Sequence, residues 1–384
     1  MHPAVIARRG FLTLSAVGAG TMLVAPQMIL ATVPTERRFV FIIQRGAADG
    51  LNIVIPHGDP AYSSLRRDLA IDQGAARKLD AQFSLHPSLV RVGEMYGQGQ
   101  AMFIHAVASP YRDRSHFDGQ NVLETGGQQP YAVKDGWLNR LVTLMPDSKG
   151  QAIAIAATVP PALRGSAVVD SYAPSNLPDA SDDLMQRVGL LYGGDPQLHP
   201  LWAAAVDARQ TAQTGAARQD PAGLGTLAAT FLAKADGPRI AMLETGGWDT
   251  HTGQAGRLSA QLKALDTLLD ALRTGMGGHW RNTTVLIATE FGRTAAVNGT
   301  GGTDHGTGSA AMLVGGAVKG GRVLADWPGL AQGQLFEGRD LRPTTPLDAV
   351  IAGAAADALG LDRDRTSRAL FAGLAGKPLA GLVA

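Results

Sequence analysis

The sequence predicts an α/β fold: a central, mostly parallel sheet covered on both faces by helices. Three observations predict it. Six apolar runs, at 38–44, 101–107, 151–157, 239–244, 283–291 and 310–316, are continuous rather than alternating, as strands buried on both faces should be. Between them lie amphipathic stretches. In 257–276, Leu258, Leu262, Leu265, Leu269 and Leu272 form one helical stripe, and 346–360 reads as a helix opened by Pro346 and closed by Gly360. Strands that alternate with helices in this way pair in parallel. The chain shows no internal repeat and no second composition regime, so 38–384 is expected to be a single domain. The section 170–235, rich in Ala, Gln, Asp and Pro, reads as a helical insertion or cap.

Composition sets the outer limits of function. The chain has 384 residues, 45% of them hydrophobic and 17% charged, with a net charge of +1. Such a balance creates no field that would gather nucleic acid or an anionic membrane. Cysteine is absent and histidine occurs nine times. Any metal must therefore be held by His, Asp and Glu, and neither a thiol nucleophile nor a disulfide is available.

The amino terminus reads as an export signal. Arg8 and Arg9 precede Phe11, Leu12 and a small, apolar stretch with no further charge before Glu36. This pattern resembles a twin-arginine signal over 1–31, with cleavage after Ala31. The stretch is nearly long enough to span a bilayer. Gly10, Gly18, Gly20 and Pro26 dilute its hydrophobicity, so a signal is preferred to an anchor, with no stable membrane insertion after cleavage. The implied partner is the twin-arginine export machinery, which carries folded proteins, and the implied destination is periplasmic or secreted.

Chemistry in sheets of this kind gathers beyond the carboxyl ends of the strands. Asp49 follows the first strand. Asp249 and His251 follow the strand at 239–244, Glu290 and Arg293 end the run at 283–291, and Asp304 and His305 lie on the glycine-rich loop "GGTDHGTG". "YRDRSHFDGQ", after the strand that contains His105, adds Arg112, Arg114, Ser115, His116 and Asp118. Singly, each has an ordinary explanation. Asp49 before glycine suits a turn, Asp249 or Thr250 suits a helix cap, and adjacent Ser115 and His116 point apart on a regular element. His57, His86, His199 and His279 read as structural or surface residues. Five segments that place acids, imidazoles and arginines at one edge are better explained by a divalent metal. Histidine favours zinc or manganese, with magnesium and calcium open. Two such ions would clamp the attacking and leaving oxygens of a phosphoryl or sulfuryl group, and arginine forks would hold its other oxygens.

The motifs "RGAADGLN", "RSHFDGQ", "GWLNR", "GGWDTH", "TEFGR", "GTDHG" and "GGAVKGGRV" together resemble an exported bacterial family called domain of unknown function 1501, within the alkaline-phosphatase-like, or sulfatase-like, superfamily. The resemblance runs from about residue 38 to 350. It implies an alkaline-phosphatase-like sandwich and a hydrolase of small-molecule or glycan phosphate or sulfate esters. By chain order it implies that Asp49, Asp249, His251, Glu290, Asp304 and His305 hold metal, that Ser115 attacks, and that Arg114 and Arg293 hold the oxyanion. His116 would protonate the leaving group. Phe291 stands where the superfamily pattern expects a histidine or asparagine, which weakens one of two metal positions. The alternative is a non-catalytic periplasmic binding or scaffold protein that retains the fold.

Overall fold

The computed structural model describes residues 35–146, 150–174, 182–200, 202–203, 205–206, 220–374 and 376–384. The expected export signal, 1–31, lies outside them, as does part of the stretch expected to be a cap.

Nine strands form one sheet: β1 (Arg38–Gln44), β2 (Ala101–Ala108), β3 (Ala152–Ala154), β4 (Asp170–Ser171), β5 (Ile240–Thr245), β6 (Thr283–Thr289), β7 (Ser309–Val314), β8 (Arg322–Leu324) and β9 (Thr345–Pro346). Their spatial order is β8-β2-β7-β6-β1-β5-β3-β4, with β9 also pairing β2. All pairs are parallel except those of β7, which runs antiparallel to both β2 and β6. The fold is therefore the expected mixed α/β sandwich on a mainly parallel sheet. The apolar runs did not announce the reversed direction of β7, because burial on both faces is the same for either direction.

Central β1 shows why its run is continuous. Phe39, Phe41 and Ile43 enter one core layer and Val40 and Ile42 the opposite one. Each such side chain contributes about 1.5–3 kcal/mol by leaving water. The first layer includes α5 (Leu347–Leu359) and the helix Trp137–Thr143; the second includes α3 (Pro221–Leu232) and α4 (Gln254–Met276). The leucine stripe of α4 is buried as its spacing predicts.

The stretch 170–235 contains more of the sandwich than expected. It supplies edge strand β4 and the core helix α3, whose Asp220 cap accepts a hydrogen bond from Gly223 N at 2.7 Å. Helix α2 (Asp182–Tyr192) lies between them in sequence. Gly225 lets α3 approach α4 closely, since a Cβ there would sit 2.2 Å from the Leu268 carbonyl oxygen.

The sheet also sets the location of the candidate site. Gln44 is in register with Thr245 on one side and Thr289 on the other. The loops after β1, β5 and β6 consequently start side by side.

Candidate metal centre

Gly46 joins these three loops. Its φ of +121° is open to glycine, and a Cβ there would sit 2.6 Å from Asp249 N. Its N–H donates to Glu290 Oε1 at 2.8 Å. Glu290, fully buried at the end of β6, also accepts from Gln120 Nε2 at 3.1 Å and from Thr289 Oγ1 at 2.9 Å. Its remaining partner is His116, the first residue of α1 (His116–Thr125), whose Nδ1 lies 2.8 Å from Glu290 Oε1.

Two further histidines repeat this pattern. His251 Nδ1 lies 2.9 Å from Asp304 Oδ1, and His305 Nδ1 lies 2.8 Å from the carbonyl oxygen of Arg114. Each Nδ1 faces an acceptor, which favours a proton on Nδ1 and, in the neutral imidazole, a lone pair on Nε2. All three Nε2 atoms converge on Asp249. His251 and His305 Nε2 are 3.0 and 3.3 Å from Asp249 Oδ1, and His116 Nε2 is 3.5 Å from Oδ2.

This arrangement fits a cation. The Nε2 atoms of His251 and His305 stand 3.0 Å apart, a spacing that either a shared proton or a bound cation satisfies. His116 Nε2 is buried with no hydrogen-bond partner, an arrangement that native interiors rarely leave uncompensated. Ligand atoms of His116, Asp249 and His305 all lie within 4.8 Å of one another. Three imidazoles and one carboxylate are a donor set suited to zinc or another borderline metal.

The surrounding residues tune these donors. The hydrogen bond to Glu290 raises the pKa of His116 against the effect of burial. Burial lowers that of His305, which favours the neutral, ligating form. Burial alone would raise Asp249, but the hydrogen bond and charge of Arg293 hold it below the usual carboxylate range. Glu290 is likewise lowered, since its hydrogen bonds, first of all that to His116, outweigh a large burial cost. Hydrogen bonds from Asn298 and His251 lower Asp304.

The sequence-predicted residues divide into three groups. His116, Asp249, His251 and His305 come together, and His116, expected as a proton source, has its Nε2 facing the Asp249 carboxylate. Glu290 and Asp304, expected to hold metal, face the Nδ1 atoms of His116 and His251. Arg293, 1% exposed, donates through Nη1 to Asp249 Oδ1 at 2.6 Å and through Nε to Thr303 Oγ1 at 3.2 Å, so its fork is occupied and not open to an oxyanion.

Asp49 and Arg114 are directed elsewhere. Asp49 is 1% exposed, receives both terminal nitrogens of buried Arg66, caps its own short helix through Leu51 N at 3.2 Å, and is bonded by Gln254. No lone pair is left for a metal. The Arg114 guanidinium pairs with Glu337 and, at 2.9 Å, with Asp340, and only its carbonyl serves the centre. Ser115 occupies the N-cap position of α1 without a side-chain cap bond, and its amide donates to Tyr111 Oη at 3.1 Å. Phe291 stacks on His116 at a centroid distance of 5.1 Å and lies 5.4 Å from His305, so an apolar ring walls the centre.

Sequence reasoning missed Gln120, Asn298 and Arg66. The i+4 spacing of Gln120 from His116 on one helix face was a usable signal. Arg66, in the charged run "RRD", carried none.

The fold and the cluster define a class: an α/β sandwich with histidines and acids gathered at the carboxyl edge of a mainly parallel sheet. Within that class the chain belongs to the family described as "Protein of unknown function (DUF1501)", which matches residues 36–369. No curated protein matches it. Solved structures similar to it include the zinc complex of the C-terminal periplasmic domain of EcEptC from Escherichia coli, at 8% identity, covering 73% of each chain with a TM-score of 0.38. Others are the alkaline phosphatase of the Antarctic bacterium TAB5 (11% identity, 78% of this chain and 95% of that one, TM-score 0.35) and BT1596, a 2-O GAG sulfatase (10%, 85% and 71%, TM-score 0.36). At such identities these likenesses bear on neither substrate nor chemistry.

Proposed function

We propose that this protein is an exported, metal-dependent hydrolase of phosphate or sulfate esters. The observation that carries the reading is the convergence of three Nε2 lone pairs on the carboxylate of Asp249. His116, His251, His305 and Asp249 would hold one divalent ion, with zinc or manganese favoured by the imidazoles. Such an ion supplies Lewis acidity to a phosphoryl or sulfuryl oxygen.

The chain's own residues supply the rest. Glu290, Asp304 and the Arg114 carbonyl fix ring orientation and tautomer, in the way that outer partners of ligating histidines do. Arg293 pins Asp249, and Phe291 keeps water and a second donor from that wall. Ser115 adjoins His116 at the positive end of α1, where an alkoxide would be stabilised, and its side chain does not cap the helix. In the proposed reaction its Oγ bonds to phosphorus or sulfur, the ester oxygen departs as the alcohol, and water later releases the acid from serine. Arg8 and Arg9 support export. Among the described residues no helix is long and apolar enough to cross a membrane.

The test uses metal-replete protein with 4-nitrophenyl phosphate and 4-nitrophenyl sulfate. Ser115→Ala should lose about 100-fold or more in turnover while melting temperature and metal content hold, and Ser115→Thr should retain part. Turnover by Ser115→Ala equal to the parent would exclude a covalent serine intermediate. Absence of turnover of either ester by protein with a full ion complement would favour the scaffold reading.

A further inference from the structure

The loop that delivers His116 has a second face. Its residues Ser109 and Arg112, with Gln128, Thr344 and Asp348, line a cavity of ≈ 310 Å³. This lies at the lower end of the range for small-molecule sites, about 300–1,000 Å³. None of the centre's four donors lines it.

Three polar groups on this cavity are left incomplete. Asp348 is 5% exposed, and its carboxylate has no hydrogen-bond or ion-pair partner among the described residues. Arg112 donates through Nη1 to the carbonyls of Ser109 and, at 2.8 Å, Tyr111; its Nε and Nη2 have no hydrogen-bond partner among the described residues. The hydroxyl of Thr344 is buried and unpaired. Arg112 and Asp348 feel each other's charge, yet they do not close into a salt bridge.

An ordinary structural role does not account for this. Asp348 lies in the first turn of α5, where the helix dipole favours an acid. The dipole explains a charge at an exposed helix end but not one buried without a partner. Burial pushes Asp348 up to about 7 against the pull of Arg112. The Thr344 hydroxyl is buried without a partner among the described residues, and the two charged groups line the same cavity with bonding capacity to spare, so a ligand there would complete all three. Opposite charges held apart across one small cavity specify what that ligand carries.

We propose that this cavity binds a small amino-acid-type zwitterion, its ammonium on Asp348 and its carboxylate on Arg112. The site is separate from the metal centre, and its occupancy does not depend on the proposed hydrolase activity. Thr344 and Gln128 offer hydrogen bonds to whatever joins the two charged ends.

Calorimetry and thermal melting with glycine, β-alanine and 4-aminobutyrate test this by scanning the separation of the two charges, with methylamine and acetate as half-probes. One zwitterion should bind one per chain, raise the melting temperature, and exceed either half-probe by at least about tenfold in affinity. Asp348→Asn and Arg112→Gln should each weaken it by about tenfold or more. Asp348→Asn should fold and melt no lower than the parent, because it removes an unpaired acid. Should that variant fail to fold, Arg112→Gln alone decides. Absence of a melting shift with all three zwitterions at millimolar concentration, half-probes that bind as well as the zwitterions, or affinity unchanged in Arg112→Gln would each overturn the proposal.

Discussion

Asp49 follows β1 and Asp249 follows β5, the neighbouring strand, and each meets a buried arginine. Beyond that they differ. Asp49 is 1% exposed, with both oxygens taken by Arg66 and Gln254 and by its own cap. The Asp249 side chain is 43% exposed; Arg293 takes Oδ1 alone, and Oδ2 faces His116. Both acids were expected to hold metal. What separates them is how many lone pairs their neighbours leave, and that depends on partners distant in sequence. Asp170 extends the series to a carboxylate with no help at all: it is 4% exposed, and its Oδ1 has no partner.

The largest effect is expected where the pairing is complete. Arg66→Ala strands the Asp49 charge and should cost about 3–5 kcal/mol in denaturant unfolding. Metal content per folded molecule should not change. Arg293→Ala should cost less than Arg66→Ala in metal-free protein, since solvent reaches the acid it leaves behind, although the packing and hydrogen bonds of a buried side chain are lost; it should also lower metal affinity. If the two substitutions destabilise equally, the contrast between the two acids is wrong.

Metal removal comes next. An ion at 100 times its dissociation constant adds about 2.7 kcal/mol to native stability. Chelation should lower the melting temperature of the parent accordingly and leave that of His305→Ala unmoved. A chelator-insensitive parent would contradict the site.

Glu290→Gln asks whether Glu290 orients rather than ligates. Loss of an orienting partner should weaken metal affinity by about 10–100-fold without abolishing binding. Complete loss of stoichiometric metal in folded Glu290→Gln would restore it to the ligand set. Titration of metal into apo-protein is the measurement.

Asp170 gives an effect confined to a pH window. Burial pushes it from 3.8 to about 7. Below the lower value both folded and unfolded chains hold the proton, and there is no cost. As pH rises through the window the unfolded chain loses its proton first, so the folded state loses stability until about pH 7. Asp170→Asn should therefore be neutral near pH 4 and more stable than the parent near pH 8, by up to about 4 kcal/mol at about 1.4 kcal/mol per pKa unit. Equal melting differences at the two pH values would exclude the assignment.

The sheet was legible because burial on two faces leaves unbroken apolar runs, and the site's edge was legible because parallel strands bring their carboxyl ends together. The direction of β7 and the core position of α3 were not, since neither changes the local pattern of apolar residues. Among the site residues, sequence pointed to which side chains gather. It could not say that His116 turns Nδ1 to Glu290 and Nε2 to Asp249, because which ring nitrogen faces which carboxylate depends on the tertiary placement of α1. Nor could it see Arg66 reach Asp49, a partner 17 residues away.

The most direct test is anomalous diffraction at the metal edge from crystals of protein prepared without chelator. One peak per chain, in contact with Nε2 of His116, His251 and His305 and with the Asp249 carboxylate, is the predicted result. A peak coordinated by Asp49 or by Glu290 in place of these imidazoles, or no peak in protein shown to be folded and metal-exposed, would contradict it.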